Sequence, residues 1–283
     1  MFLFKNDLLS LLFFGTLASV SVALIVFILF FLNIESLLAL RELGLWRTLS
    51  DPSWHPTQGE YNLTPMLLGT FWATLGAVLL ATPLGLFSAL FCHYYAPVQL
   101  AYYYRRMIEV FGGIPSVIYG LWGLTVLVPW IQKIHPPGPS LLAGILILTL
   151  MILPTIVLVL DMALTQIPVE LIQGSVALGL SRLGLLRCVV YPSIRSPLIS
   201  AILLAGTRAI GETMAVLMVC GNLVQIPRGL FDPIRTLTTN IALEMAYALG
   251  VHRSSLFLGS LFLLGMVVLL LFLSLVLTSR KRA

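Results

Sequence analysis

The chain has 283 residues, 59% of them hydrophobic and only 10% charged, and its mean hydropathy is +1.03. A water-soluble domain of this length does not have that composition. The net charge of +5 lacks the basic clusters with interleaved aromatics that nucleic acid would require, so membrane topology accounts for it better. Cys92, Cys188 and Cys220 are far apart, show no metal-ligand spacing, and read as small packing residues.

Six apolar runs are long enough to span a bilayer. The first, Leu8–Leu32, is too long for a signal-peptide core and has no small-x-small cleavage site, so it reads as an uncleaved transmembrane helix. No lipidation motif accompanies it. Asn33–Thr64, with Asp51-Pro-Ser-Trp-His-Pro, reads as an extracytoplasmic loop with room for one short helix. The second span is Met66–Phe91. Val98–Phe111 then mixes Arg105, Arg106 and Glu109 with Tyr, Met, Ile and Val, the pattern of an amphipathic helix at a membrane surface. Gly112-Gly113 ends it, and Pro115 suits the first turn of the next helix. The third and fourth spans are Ile114–Ile131 and Leu141–Leu164.

Thr165–Ser196 contains no span. Within it Val169–Val190 has helical periodicity, opened by Pro168 and closed by Pro192. Two helical pieces joined near Gly179 make a compact knob. Small residues at Gly174, Ser175 and Gly179 would allow close helix approach, and Pro192 would set the angle of entry into the next span. The last two spans are Pro197–Leu223 and Leu256–Thr278. The fold class expected is therefore all-α and polytopic, divided into residues 1–64 (first helix and loop) and 65–283 (the main membrane domain).

An even span count puts both termini on one side. With the termini inside, the cytoplasmic face holds Lys5, Arg105, Arg106, Arg182, Arg187, Arg195, Arg280, Lys281 and Arg282. The other face holds Arg41, Arg47, Lys133, Arg228, Arg235 and Arg253. This bias places the termini in the cytoplasm.

Arg208 and Glu212 lie near the middle of the fifth span. A charge at that depth costs on the order of 2.5–3.5 kcal/mol. A spacing of four puts both on one face of a continuous helix, where they can pair. The pair is either a structural bridge or a polar site on a transport path. Arg208 suits an oxyanion, because its guanidinium donates two parallel hydrogen bonds and keeps its charge. Glu212 either accepts a hydrogen bond from a protonated oxyanion such as phosphate or neutralises Arg208 when the path is empty. Asn222 is either a polar contact nearer the outer face or a helix-end cap. An enzyme fits poorly: there is no His-Glu-x-x-His, His55, His93, His135 and His252 are scattered, and Asp161 sits at the end of its span. A secondary transporter would favour inverted repeats or discontinuous helices, and neither is evident in the sequence.

The knob resembles the coupling loop of ABC importer permeases. Their pattern is Glu-Ala-Ala, three residues, Gly, nine residues, Ile-x-Leu-Pro. Gln173-Gly174-Ser175, Gly179 and Val189-Val190-Tyr191-Pro192 keep that register, with the acidic residue replaced. Arg208-Ala-Ile-Gly-Glu-Thr-Met-Ala-Val216 followed by Gly221-Asn222 resembles the signature helix of phosphate-specific permeases. Glu109-x-x-x-Gly113-Ile-Pro-Ser-Val-Ile-Tyr-Gly120-Leu and Met151-Ile-Leu-Pro154-Thr-Ile are similar to other stretches of that family. The likeness covers roughly Leu63 to Glu244 and favours the C-type subunit over its A-type partner.

That resemblance implies the six-helix type I importer fold, with Arg208, Glu212, Thr213 and Asn222 on the substrate path. It implies that Gln173, Gly174, Ser175, Gly179 and Pro192 meet an ATPase. The implied partners are a second, A-type permease subunit, two copies of an ATPase subunit and an extracytoplasmic phosphate-binding protein. This chain needs no cofactor; ATP and Mg²⁺ belong to the ATPase, since no Gly-x-x-x-x-Gly-Lys-Ser/Thr is present here. Molybdate or sulfate is the alternative cargo.

Overall fold

The structure, a computed structural model, describes the backbone of residues 3–279 and the side chains of residues 10–276. Arg280, Lys281, Arg282 and the Lys5 side chain, which entered the orientation argument, lie outside that description. Thirteen α-helices and one small hairpin are found among the described residues. Six helical segments are long and apolar enough to cross a membrane: Ser10–Glu42, Thr64–Tyr94, Ser116–Ile134, Leu141–Thr165, Arg182–Gly211 and Gly250–Val276. The fifth differs from its expected bounds of Pro197–Leu223, and the difference determines the candidate site.

The chain divides into two compact units: residues up to Asn62 with Met245–Phe262, and Leu63–Glu244 with the remainder. In the first unit, α1 (Leu3–Glu42) runs ten residues past its expected end. Its apolar side chains, among them Phe13, Phe14, Phe27 and Phe30, are exposed along the membrane-length stretch. A helix apolar all round and uncovered belongs in lipid or against another protein. α2 (Gly44–Ser50) follows, then strands β1 (Trp54–His55) and β2 (Glu60–Tyr61), paired antiparallel with Trp54 opposite Tyr61. Gly59 makes the tight turn at φ +78°. The hairpin is held by Asp51, whose carboxylate accepts from the Tyr61 N–H and whose carbonyl accepts from Asn62 Nδ2. Trp54 and Tyr61 stack edge-on with each other and near His252, at the start of the last helix. Ser254 donates to the Glu35 carbonyl and accepts from the Ala39 N–H, fixing α1 to that helix.

The second unit is built on α3 (Thr64–Tyr94) and α7 (Leu141–Thr165). Pro65 opens α3, where its missing N–H costs nothing. Ala73, Ala77, Ala81, Gly85 and Ala89 recur every fourth residue and are buried. A Cβ on Gly85 would lie 2.7 Å from Ile156, and one on Gly76 2.5 Å from Ile145. Small residues here let two backbones approach, as apolar helices in lipid require. α7 is the most buried span, and Ser140 caps it by accepting from the Ala143 N–H.

α4 (Val98–Gly113) is amphipathic as expected. Arg105 is more than a surface charge: its guanidinium grips Asp161 at 2.9 and 3.1 Å, tying α4 to the end of α7. Arg106 pairs with Glu109 on the same helix. The third span is α5 (Ser116–Trp122), one π-helical turn, and α6 (Val128–Ile134). α8 (Val169–Ala177) and α9 (Arg182–Leu185) form the knob.

The reason for glycine in the knob differs from the expected one. A Cβ on Gly174 or Gly179 would meet nothing within this chain, so close packing inside the chain does not explain them. Gly179 instead adopts φ +75°. Its N–H bonds the Val176 carbonyl and the Leu180 N–H bonds the Ser175 carbonyl, which is a Schellman closure of α8. Pro192 marks no turn either. α9, a π turn over Leu186–Val190 and α10 (Tyr191–Gly211) form one continuous helix. Cys188 lies exposed on the π turn, unlike the buried Cys92 and Cys220.

Gly179→Ala should cost about 1–2 kcal/mol, because the left-handed conformation crowds a Cβ. Gly179→Asn should cost less. Amide hydrogen exchange over the α8–α9 turn should quicken in the alanine variant; equal rates in the two would count against this closure.

Candidate functional site

Arg208 lies in the last turn of α10, and the helix stops at Gly211. Glu212 is extended, at φ −71° and ψ 131°. A separate short helix, α11 (Met214–Val219), begins after Thr213. The expected side-by-side pair on one helical face is therefore absent. Extending the backbone at Glu212 swings its carboxylate out of the i, i+4 position, and Arg208 and Glu212 form no ion pair.

Each finds another partner. Arg208 Nη1 donates to Thr155 Oγ1 on α7 at 3.1 Å. Glu212 Oε1 accepts from the Ala215 N–H at 3.3 Å, covering a free amide at the start of α11. The Glu212 carbonyl accepts from Thr238 Oγ1 at 2.8 Å. Thr213 folds its hydroxyl onto the Gly211 carbonyl.

The depth of this site follows from α7. At 1.5 Å per residue, Thr155 lies about 21 Å from Leu141 and about 15 Å from Thr165. Arg208 is therefore level with the middle of a spanning helix, as expected, although its own helix ends there. α11 carries the chain on to the Ser140 end of α7, where the Ser140 N–H meets the Val219 carbonyl at 3.2 Å. α11 packs on α5 through Gly120, where a Cβ would sit 2.9 Å from Ala215 Cα. The fifth crossing is thus discontinuous, against the unbroken span the sequence suggests: a long helix to mid-depth, a two-residue break, and a short helix beyond, so the lack of a discontinuous helix no longer counts against a secondary transporter.

Past α11 the chain runs across the start of α7. The Leu141 and Leu142 N–H groups, free at a helix start, bond the carbonyls of Asp232 and Leu230. Gly221 bridges Ile234. Asn222, a non-glycine residue at φ +55°, donates from Nδ2 to the Leu217 carbonyl. This bond caps the end of α11.

Arg235 organises this region. Its Nε donates to the Asn222 carbonyl at 2.9 Å, and its Nη1 donates to Asn240 Oδ1 at 3.0 Å and Glu244 Oε1 at 2.8 Å. Both members of the ion pair are mostly buried, with side-chain exposures of 19% and 9%. α12 (Leu237–Glu244) starts among the buried hydroxyls of Thr236, Thr238 and Thr239, and the Leu237 N–H bonds Thr70 Oγ1 on α3.

The sequence places Arg235 among the outer-face charges and offers no role for Glu244, Thr155 or Thr238. The run Thr236-Leu-Thr-Thr-Asn240 was the available signal, being polar side chains with no helical stripe to explain them. Thr155 had a weaker one, a hydroxyl beside Pro154 inside an apolar run. Of the knob residues, Ser175 is buried, while Gln173, Gly174, Gly179 and Pro192 are exposed. Beside them Val176 is 64% and Leu178 82% exposed, an uncovered apolar tip.

Residues 81–282 match the model of the binding-protein-dependent transport system inner membrane component family. The chain belongs to that family. Among its relatives are the probable ABC transporter permease protein YqgH of Bacillus subtilis, 39% identical over 83% of this chain and 78% of that protein, and the phosphate transport system permease protein PstC of Haemophilus influenzae, 31% identical over 89% of this chain and 88% of that one. The PstC of Mesorhizobium japonicum is 32% identical over 80% of this chain and 76% of that one. In fold the chain is similar to a subunit of the MetNI methionine ABC transporter in an inward-facing conformation, with a TM-score of 0.61 at 20% identity, over 75% of this chain and 92% of that one. The permease is thus a multi-pass integral membrane protein of the ABC importer fold, and its relatives are transport subunits.

Glu244→Ala leaves the Arg235 charge buried without its carboxylate and should destabilise the permease by about 3–5 kcal/mol. The combined change Arg235→Met with Glu244→Leu should cost less than the single variant. Thermal unfolding in detergent reads both; a single variant as stable as the native chain would remove Arg235 as the organiser of this region.

Proposed function

We propose that this chain is the C-type permease subunit of an ATP-driven importer for inorganic phosphate, supplying half of the translocation path. The observation that carries the reading is Arg208. It lies at mid-depth beside a helix break, exposed, with one guanidinium nitrogen on a neutral hydroxyl and, among the described residues, no carboxylate within ion-pair distance. An intramembrane cation left unneutralised suits an anion in transit. The PstC relatives supply the choice of anion.

In this reading Arg208 holds phosphate, and Glu212 and Thr213 line the break beside it. Glu212 keeps one carboxylate oxygen clear of its backbone bond, available to a phosphate hydroxyl. Asn222 shapes the outer end of the path. Gln173, Gly174, Ser175, Gly179 and Pro192 present the knob to an ATPase subunit, whose ATP and Mg²⁺ drive transport. The exposed tip at Val176 and Leu178 gives that partner an apolar anchor. A second, A-type permease subunit completes the path, two ATPase copies dock at the knobs, and an extracytoplasmic binding protein delivers phosphate. Both termini lie in the cytoplasm.

Arg208→Gln should abolish phosphate uptake, a loss of at least 100-fold, in vesicles holding the full complex at native levels. Normal uptake would end the reading of this site as the path. Reporters fused after Arg106 or Arg187 should be active as cytoplasmic fusions, and those after Trp54 or Arg235 inactive; the reverse pattern would place the knob on the wrong side for an ATPase.

A further inference from the structure

We propose that Thr155 is a second ligand of the transported oxyanion, donating its hydroxyl hydrogen to an oxygen that Arg208 also binds. The proposal rests on the reading of Arg208 as the anion site and adds a contact from a different helix.

Three observations support it. First, Thr155 Oγ1 accepts from Arg208 at 3.1 Å. A hydroxyl that accepts one bond still has its own hydrogen to give. Second, that hydrogen is not used by the helix. Thr70, Thr82 and Thr149 each turn their hydroxyl onto the carbonyl four residues back, at 2.7–2.8 Å. Threonine in an apolar helix usually does this. Thr155 does not bond the Met151 carbonyl; its hydroxyl faces Arg208 instead, and among the described residues it has no acceptor. Third, the guanidinium has uncommitted N–H groups beside the same oxygen. Five donors are present, and one contact, to Thr155, is found among the described residues.

Arg208 is exposed and Thr155 half-buried, so donors of both side chains can reach one oxygen placed beside their contact. An oxyanion oxygen placed there accepts a charge-assisted bond from Arg208 and a neutral one from Thr155. Before the anion arrives, Thr155 serves as the acceptor that holds the guanidinium in position. When it arrives, the hydroxyl rotates and donates, a change that needs no backbone movement. Lysine in place of Arg208 would present a point charge without the planar fork.

The test is phosphate uptake by vesicles holding the full complex, with the permease changed at this position alone. Thr155→Val keeps the branched shape and removes the hydroxyl. With saturating binding protein it should lower Vmax about tenfold, while KM, which the binding protein sets, stays within about twofold of native. Thr155→Ser should bring Vmax back to within about twofold of native. The amount of assembled complex recovered is the control for folding. If valine and serine variants share one lowered Vmax, or if the loss falls in KM with Vmax unmoved, Thr155 is not a ligand. A native Vmax in Thr155→Val beside a dead Arg208→Gln overturns this assignment and leaves the path reading standing. Normal uptake by Arg208→Gln overturns the path reading and this inference together.

Discussion

A backbone broken halfway across a bilayer must have its hydrogen bonds supplied by protein. Lipid offers no partner at that depth, and each unmet N–H or C=O costs several kcal/mol. The break at Glu212-Thr213 imposes this requirement, and much of the second unit meets it. The Glu212 side chain covers the Ala215 amide, and Thr238 covers the Glu212 carbonyl. Thr238 can reach there because α12 begins level with the break. α12 begins there because Arg235, Thr70 and the bridge at Gly221–Ile234 fix the preceding segment. The buried hydroxyls of Thr236, Thr238 and Thr239 thus gather around one interrupted helix.

Arg208 was legible in the sequence because an isolated charge in an apolar run is costly wherever the helix ends. Its depth was legible for the same reason. The break was not, because Ile210-Gly-Glu-Thr-Met214 contains no proline and the apolar run continues on both sides of it. Periodicity alone reads such a run as one helix. The partners were also out of reach: Thr155 lies 53 positions before Arg208 and Thr238 lies 26 after Glu212. Pairings at that separation are set by packing, on which local pattern is silent. The division of the chain shows the same effect, since Met245–Phe262 groups with the first unit although nothing local marks it.

The knob illustrates a right position with a different cause. The sequence suggests close packing as the reason for Gly179, yet its surroundings within the chain are open and its backbone is left-handed. Glycine is required there by the geometry of chain reversal after α8. An open surface at the same point leaves Leu178 and Val176 uncovered. The reversal also sets which way α9 leaves the knob, and so the line along which α10 runs.

That line matters because α9, the π turn and α10 are one helix of 30 residues from Arg182 to Gly211. Arg208 stands twenty-six residues beyond Arg182, about 39 Å along the axis. A tilt of about ten degrees about the knob end would carry Arg208 sideways by roughly 7 Å, more than the 3.1 Å that separates it from Thr155. A hydrogen bond does not survive such a displacement. Because α10 ends at Gly211, that motion is not passed rigidly to α11, which stays packed on α5 through Gly120. The break therefore separates two bodies, one joined to the knob and one to the far end of α7, with the cation at the junction. An unbroken helix would move both ends together and leave the arginine in one environment throughout.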